Sequence, residues 1–245
     1  MFSKSFSFCN SCADDVYKEI SEEHGEDMFK NREKGGTVMI RYADRIESCT
    51  VLGPGGNRAV LWVYGCCFHC RGCIAELYKD GPYQEVTAEA LADWYCSGSV
   101  QTEGITISGG EPFLQAGELA EMLRQIRQRR DIGVIVYTGF LYEELLSRSQ
   151  TEEGIRKFLE EIDLLIDGPY MEEFDQNQMA VGSSNQRIIQ LTERYRDMAE
   201  AYYGMQGRKV EIRIFEGKAM LVGVPANDQS RLWKKLNERP DKRKD

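Results

Sequence analysis

The sequence has no run of about eighteen apolar residues, so no transmembrane helix is expected. It also lacks a basic excess: 31 Lys and Arg stand against 40 Asp and Glu, a formal charge of −9. Phosphate backbones are bound by basic faces, so general nucleic-acid binding is not expected. The stretch Met1-Phe2-Ser3-Lys4-Ser5-Phe6-Ser7-Phe8 has no continuous apolar segment of the kind a signal peptide carries. Without an export signal, the eight cysteines read as reduced, metal-binding thiols rather than disulfides, and the expected compartment is the cytoplasm. The glycine-rich turn Gly53-Pro54-Gly55-Gly56 lacks the Gly-Lys-Ser/Thr ending of a phosphate loop, which excludes that reading.

The most informative absence is a fourth metal ligand. Cys66, Cys70 and Cys73 form a C-x3-C-x2-C pattern directly after the apolar run Ala59 to Tyr64. Three thiolates in one short loop can hold three irons of a [4Fe–4S] cube and leave the fourth iron open to a small molecule. A structural zinc site takes four tetrahedral ligands, usually as two C-x2-4-C pairs. Cys67 or His69 could be offered as the fourth, but both lie inside the same turn, where closing a tetrahedron would strain the loop. The spacing favours the cluster, with zinc or free thiols as alternatives. His69 reads as a residue beside the cluster or simply a loop residue.

One strand later, Gly104 to Ile107 runs into Ser108-Gly109-Gly110-Glu111-Pro112. Paired glycines let a backbone approach a ligand closely, and the glutamate can supply a charged acceptor. A lone Gly-Gly-Glu is weak, since most Gly-Gly pairs are turns. After C-x3-C-x2-C it is stronger, because the two features would sit at neighbouring strand tips.

The rest of the chain supplies repeating βα units. Strands are expected at Val38–Tyr42, Ile46–Leu52, Ala59–Tyr64, Gly104–Ile107, Gly133–Tyr137 and Asp163–Ile166. Thr87 can cap a helix with Ala88, Leu91, Trp94 and Tyr95 on one face, and Cys96 near its end reads as a packing residue. Leu119, Met122, Leu123 and Ile126 mark a second helix, whose basic end Arg127-Gln128-Arg129-Arg130 complements its dipole. A third helical region, Tyr142 to Glu161, breaks near Ser149-Gln150, and residues 140–179 carry eleven acids against three bases, read as a solvated face. Gly182 to Arg187 is either a turn into a helix or a functional loop. Leu191 to Tyr203 reads as a helix, then a hairpin over 209–223 turns at Glu216-Gly217. The tail from Arg231 carries seven bases and three acids. Cys9-Asn10-Ser11-Cys12 is half of a metal site or two thiols of a loosely ordered terminus. The expected fold is α/β, a partial (βα) barrel of parallel strands. The expected divisions are an N-terminal extension over 1–35, a core over 36–190, and a C-terminal helix, hairpin and basic tail over 191–245. Such sheets bind ligands at the carboxyl ends of their strands, which here carry the cysteines, the Gly-Gly-Glu turn, Thr138-Gly139 and Asp167-Gly168.

At these residues the chain resembles the radical S-adenosylmethionine (SAM) superfamily. Gly65 to Cys73, Ser108 to Pro112, Thr138-Gly139-Phe140, Asp167 to Tyr170 and Gly182 to Arg187 follow in the order seen in anaerobic ribonucleoside-triphosphate reductase activating proteins. The resemblance covers roughly 35–190; the N-terminal cysteine pair and the C-terminal hairpin and tail depart from it. It implies that Cys66, Cys70 and Cys73 bind a [4Fe–4S] cluster and that SAM chelates the fourth iron. It also implies that Gly109, Gly110 and Glu111 hold the SAM amino-acid end, with Thr138 and Asp167 toward the ribose or the substrate edge. The implied reaction is reductive cleavage of SAM to a 5′-deoxyadenosyl radical that abstracts a glycine hydrogen from a partner enzyme. The implied partners are a glycyl-radical enzyme or other peptide substrate and an external one-electron donor such as flavodoxin or ferredoxin. Alternatives are a radical SAM enzyme acting on another peptide or a small metabolite, and a non-enzymatic iron–sulfur or zinc module.

Overall fold

The structure, a computed structural model, describes residues 33–34, 37–215, 218–226, 229–230 and 232–233. The expectations for Cys9 and Cys12, for the turn at Glu216-Gly217 and for most of the tail lie outside them. In chain order the elements are β1 (Glu33–Lys34), β2 (Thr37–Cys49), β3 (Arg58–Val63), α1 (Leu77–Asp80), β4 (Gln84–Thr87) and α2 (Ala88–Ser97). Then come β5 (Gly104–Gly109), α3 (Ala116–Arg127), β6 (Gly133–Tyr137), α4 (Tyr142–Arg148), α5 (Glu153–Glu160) and β7 (Leu164–Asp167). The last are β8 (Arg187–Gln190), α6 (Arg196–Tyr203), β9 (Val210–Phe215) and β10 (Lys218–Gly223).

The main sheet runs β1-β2-β3-β5-β6-β7-β8, with β4 also on β2. Only β3, β5, β6 and β7 are mutually parallel; β2 with its partners on one side and β8 on the other run antiparallel. The expected α/β class holds; in place of a partial barrel built wholly of parallel strands, the described residues form a mixed sheet with four parallel strands at its centre. Parallel neighbours need a long crossover. Helices α2, α3 and the α4–α5 pair supply three of them, whereas the link from β2 to β3 is short and that from β7 to β8 holds only the 3-10 turn Glu172–Phe174.

The parallel strands are mostly apolar, as expected where both faces are covered; every residue of β3 and β7 is buried, Arg58 at the start of one and Asp167 at the end of the other included. Leu119, Met122, Leu123 and Ile126 of α3 are all buried, as their spacing requires. Thr87 caps α2, its hydroxyl accepting from the Ala90 amide at 3.0 Å. The two strands expected before residue 53 are one, β2, with bulges between Tyr42 and Asp44 and between Ile46 and Cys49 that absorb the polar interruption. Gly182 to Arg187 leads into a strand rather than a helix: Ile188 and Ile189 are β-branched and pair with the open edge of β7. The segment expected as one helix from Leu191 becomes helical only around Glu193–Tyr195 and α6.

Tyr195, Ala199 and Tyr203 pack on Ile135, Leu164 and Ile166. Val222 and Val224 join Ile46, Cys49, Val60 and Trp62. At the amino ends of the parallel strands, fully buried Arg58 pairs with Glu103 and donates to Tyr195 Oη (2.5 Å), Thr106 Oγ1 (2.9 Å) and the carbonyls of Ile105 (2.9 Å) and Gly133 (3.0 Å). A buried cation is tolerated only with such complete partnering.

Candidate metal and cofactor site

The carboxyl ends of β3 and β5 are bonded to one another beyond the regular ladder. The Gly110 amide donates to the Val63 carbonyl at 2.8 Å and the Glu111 amide to the Gly65 carbonyl at 2.7 Å. A Cβ on Gly109, whose φ is +104°, would stand 2.6 Å from the Val63 backbone, and one on Gly110 would stand 2.0 Å from the Gly65 carbonyl oxygen. The glycine pair thus lets the two tips touch, and Gly65 itself (φ +92°) turns the chain into Cys66.

Glu111 is 1 % exposed. Its Oε1 accepts from the Phe113 amide (2.9 Å) and the Thr138 hydroxyl (2.8 Å), and its Oε2 from the Gly139 amide (2.8 Å). Burial pushes its carboxyl up to about 7, with the Phe113 and Gly139 amides and the Thr138 hydroxyl pulling it back. The Thr138 oxygen also accepts from the Phe140 amide at 3.1 Å. Glu111 therefore ties the β5 tip to the β6 tip. The β6 tip in turn meets the cysteine loop: the Phe68 and Phe140 rings pack edge-on at 4.9 Å. A Cβ on Gly139 would strike the Phe68 ring at 2.6 Å.

Cys66, Cys70 and Cys73 are partly buried free thiols, and Cys67 is buried. Burial, then the Glu111 carboxylate, raises Cys66 to about 12. Burial, then Cys73, raises Cys70, and burial raises Cys73. A backbone amide meets each sulfur: Phe68 at Cys66 (3.4 Å), Tyr170 at Cys70 and Ala75 at Cys73. Lys79 is the cation that pulls all three down.

Asp167 is fully buried at the end of β7. It pairs with Arg187, accepting from Nε at 3.0 Å, and accepts from the Tyr142 amide at 2.8 Å. The segment Gly182 to Arg187 braces the turn that follows Asp167. Gln186 accepts from the Gly182 amide (2.8 Å) and donates to the Gly168 carbonyl (3.0 Å), while Asn185 donates to the Pro169 carbonyl (2.8 Å) and Ser183 Oγ accepts from the Met171 amide (3.1 Å). Behind it, Arg208 pairs with Asp175 (2.7 Å) and donates to the carbonyls of Val181 (3.1 Å), Gly182 (2.5 Å) and Pro225 (3.0 Å). The expected site residues thus fall at four adjacent strand tips. Glu111, Thr138 and Gly139 are in direct contact, whereas the Asp167 carboxylate belongs to its own ion pair.

The family described as "4Fe-4S single cluster domain" matches residues 51–189, more than half of the sequence. The chain belongs to this family. The cysteine, Gly-Gly-Glu, Thr138 and Asp167 tips all lie within the matched span, and the hairpin β9–β10 lies outside it. Among its relatives is the anaerobic ribonucleoside-triphosphate reductase-activating protein of Enterobacteria phage T4, 27% identical over 152 residues, covering 59% of this chain and 91% of the phage protein. Proteins of the same description from Haemophilus influenzae (29% over 146 residues, 56% and 90%) and Pasteurella multocida (30% over 153 residues, 58% and 93%) also match. The likeness to the activating-protein subgroup seen in the ordered motifs holds in these alignments.

For a 4Fe–4S single cluster domain the donor chemistry fits. Three thiols lie in one loop where burial opposes the ionisation of each, joined by Glu111 and Cys73 at Cys66 and by Cys73 at Cys70, and positive charge of the kind an iron core brings would offset this. Among the described residues no three His, Cys, Asp or Glu side chains gather about a point for a single metal ion; a cube takes each thiolate on a separate iron. Sequence reasoning missed Gln115, Arg58 and Arg208, whose partners lie far along the chain, so spacing carries no signal for them. Around the site, Ile74, Leu77, Leu141 and Phe174 are exposed.

Proposed function

We propose that this chain is a radical SAM enzyme that activates an anaerobic ribonucleoside-triphosphate reductase by installing a glycyl radical. The observation that carries the reading is the direct bonding of the cysteine loop to the Gly-Gly-Glu tip, within a matched 4Fe–4S single cluster domain. Held there, a [4Fe–4S] cluster would supply reductive cleavage of SAM, one electron from an external donor giving methionine and a hydrogen-abstracting radical. Cys66, Cys70 and Cys73 would hold that cluster, and the amides at their sulfurs would tune it. The segment Gly109 to Glu111 would receive the SAM amino-acid end at the β5 tip, beside the cysteine loop. Thr138 and the Asp167 turn would shape the wall facing ribose or substrate. The apolar rim of Ile74, Leu77, Leu141 and Phe174 suits docking of a protein loop and exclusion of water. The electron would come from an external donor of flavodoxin or ferredoxin type, and the working compartment is the cytoplasm.

A second reading keeps the chemistry and changes the client to another peptide or a small metabolite. The hairpin outside the matched span favours it, since β9 exposes Ile212 and Ile214, the latter 78 % exposed. The test is anaerobic: the protein is reconstituted with iron and sulfide, reduced with dithionite and given SAM. Formation of 5′-deoxyadenosine with about four irons per chain is expected, followed by a glycyl-radical electron paramagnetic resonance signal when an anaerobic ribonucleoside-triphosphate reductase is added. A filled cluster that cleaves no SAM, even with the reductase present, would overturn the proposal in favour of electron transfer. Cleavage without a glycyl signal would move it to the second reading.

A further inference from the structure

The backbone leading into Cys66 is held by one segment at three consecutive carbonyls. Gly110 N–H donates to Val63 at 2.8 Å and Glu111 N–H to Gly65 at 2.7 Å; between them, the Tyr64 carbonyl accepts from Gln115 Nε2 at 3.1 Å. Gln115 is 3 % exposed. The rest of its amide pairs with Arg41: Oε1 accepts from the Arg41 amide at 2.7 Å, and Nε2 also donates to the Arg41 carbonyl at 3.0 Å. A side-chain amide bonded to both the N–H and the C=O of a strand residue does what a neighbouring peptide does in a β ladder.

That ladder is about to end at this point. The β2–β3 register reaches only Tyr42 opposite Val63, after which Tyr64 N–H makes one last bond to Arg41 at 3.0 Å. Gln115 adds a rung where the strands part, two residues before the first cysteine. A buried amide is unfavourable unless its groups are bonded, and here each is bonded to backbone at the take-off of the cysteine loop. An apolar side chain at this position would leave Arg41 N–H and the Tyr64 carbonyl short of a partner.

We propose that Gln115 is a positioning residue of the cluster site, fixing the direction in which the chain leaves β3 and so the placement of Cys66, Cys70 and Cys73. This rests on the cluster reading above but concerns a residue outside the cysteine and Gly-Gly-Glu motifs. It acts through the backbone and touches no reacting atom.

The test uses Gln115→Leu, which removes all three bonds, and Gln115→Glu, which keeps the acceptor for Arg41 N–H and sets an oxygen against both carbonyls. In the metal-free protein, amide hydrogen exchange at Gly110, Glu111 and across 64–73 is expected to speed up about tenfold, as for loss of one buried hydrogen bond, with β6 and β7 unchanged. In the reconstituted variants, the g-values and midpoint potential of the reduced cluster are expected to shift from wild type. Acceleration spread evenly over the sheet, or none at 64–73, would overturn the proposal, as would a loaded cluster with unaltered spectrum and potential. If Gln115→Leu fails to fold, Gln115→Glu carries the test. If the wild-type protein takes up no iron, the cluster reading fails by itself, and the exchange pattern still decides whether Gln115 positions the loop.

Discussion

Single residues at the strand tips divide into those that offer chemistry and those that hold others in place. Each of Cys66, Cys70 and Cys73 is expected to be indispensable: replacing any one with Ala should abolish cluster assembly, read as iron and sulfide content after anaerobic reconstitution. Retained cluster and SAM turnover in Cys66→Ala would sink the ligand assignment. Glu111 also holds others, bonding the Thr138 hydroxyl and the Gly139 amide, and its effect depends on pH. Burial raises its folded-state carboxyl from 4.5 to about 7, so the folded state binds the proton more tightly than the unfolded chain. Its stabilising contribution is present below about 4.5 and is lost as pH rises through about 7, a change on the order of 3 kcal/mol. Urea unfolding of the metal-free protein at pH 5 and pH 8 should show this decline in wild type and a smaller one in Glu111→Gln. An equal decline in both proteins would mean that Glu111 is not its source. The motif named Glu111 as important, but its spacing gave no hint that the carboxylate faces the β6 tip, because Thr138 and Gly139 lie 27 and 28 positions along the chain.

Secondary elements were legible where periodicity is strong. The i, i+3, i+4, i+7 face of α3 and the apolar runs of β3, β5, β6 and β7 needed no tertiary information, since each must bury its own apolar side. The element before them was misread: β2 crosses Asp44-Arg45 as one strand because bulges let a polar pair sit in a ladder. Strand β8 was missed because it forms in response to the open edge of β7. The contact between the β3 and β5 tips yields a sharp expectation. Gly110→Ala sets a methyl 2.0 Å from a backbone oxygen, so the tips must part; iron incorporation should fall severely while far-ultraviolet circular dichroism is retained. The loop after β7 rests on Arg208, a buried guanidinium paired with Asp175 and loop carbonyls. Arg208→Met leaves Asp175 buried without its partner and should cost about 3–5 kcal/mol, with faster proteolysis within 175–182. A midpoint in urea equal to wild type would show the clamp to be dispensable.

At the scale of the whole molecule, strand β10, beyond the matched family span, is packed against the core. Val222 is fully buried against the cluster that contains Cys49, Val60 and Trp62. Val222→Ala should therefore lower stability by about 2 kcal/mol within a single unfolding transition, whereas Ile212→Lys, on the exposed face of the hairpin, should change it by less than about 0.5 kcal/mol. Two separate transitions in denaturant would contradict this. If the client docks on that face, Ile212→Lys would reduce modification of the client without altering SAM cleavage. The basic end of α3 lends no support to a nucleic-acid patch: Arg127 pairs with Glu161 and Asp163, and Arg129 with Asp93. Among the described residues no helix is long and apolar enough to cross a membrane.

The sequence by itself determined the thiol set, the order of the motifs and the alternation of strand and helix. Those properties reside in residue identity and spacing along one chain, where local geometry decides. Only the tertiary structure decided the mixed sense of the sheet, the bonding of Glu111 across two strand tips, the ion pair that occupies Asp167, and the rung that Gln115 adds beside the cysteine loop. Each joins residues far apart in sequence, and a polar side chain shows its partner only once folding has buried it and left one partner within reach.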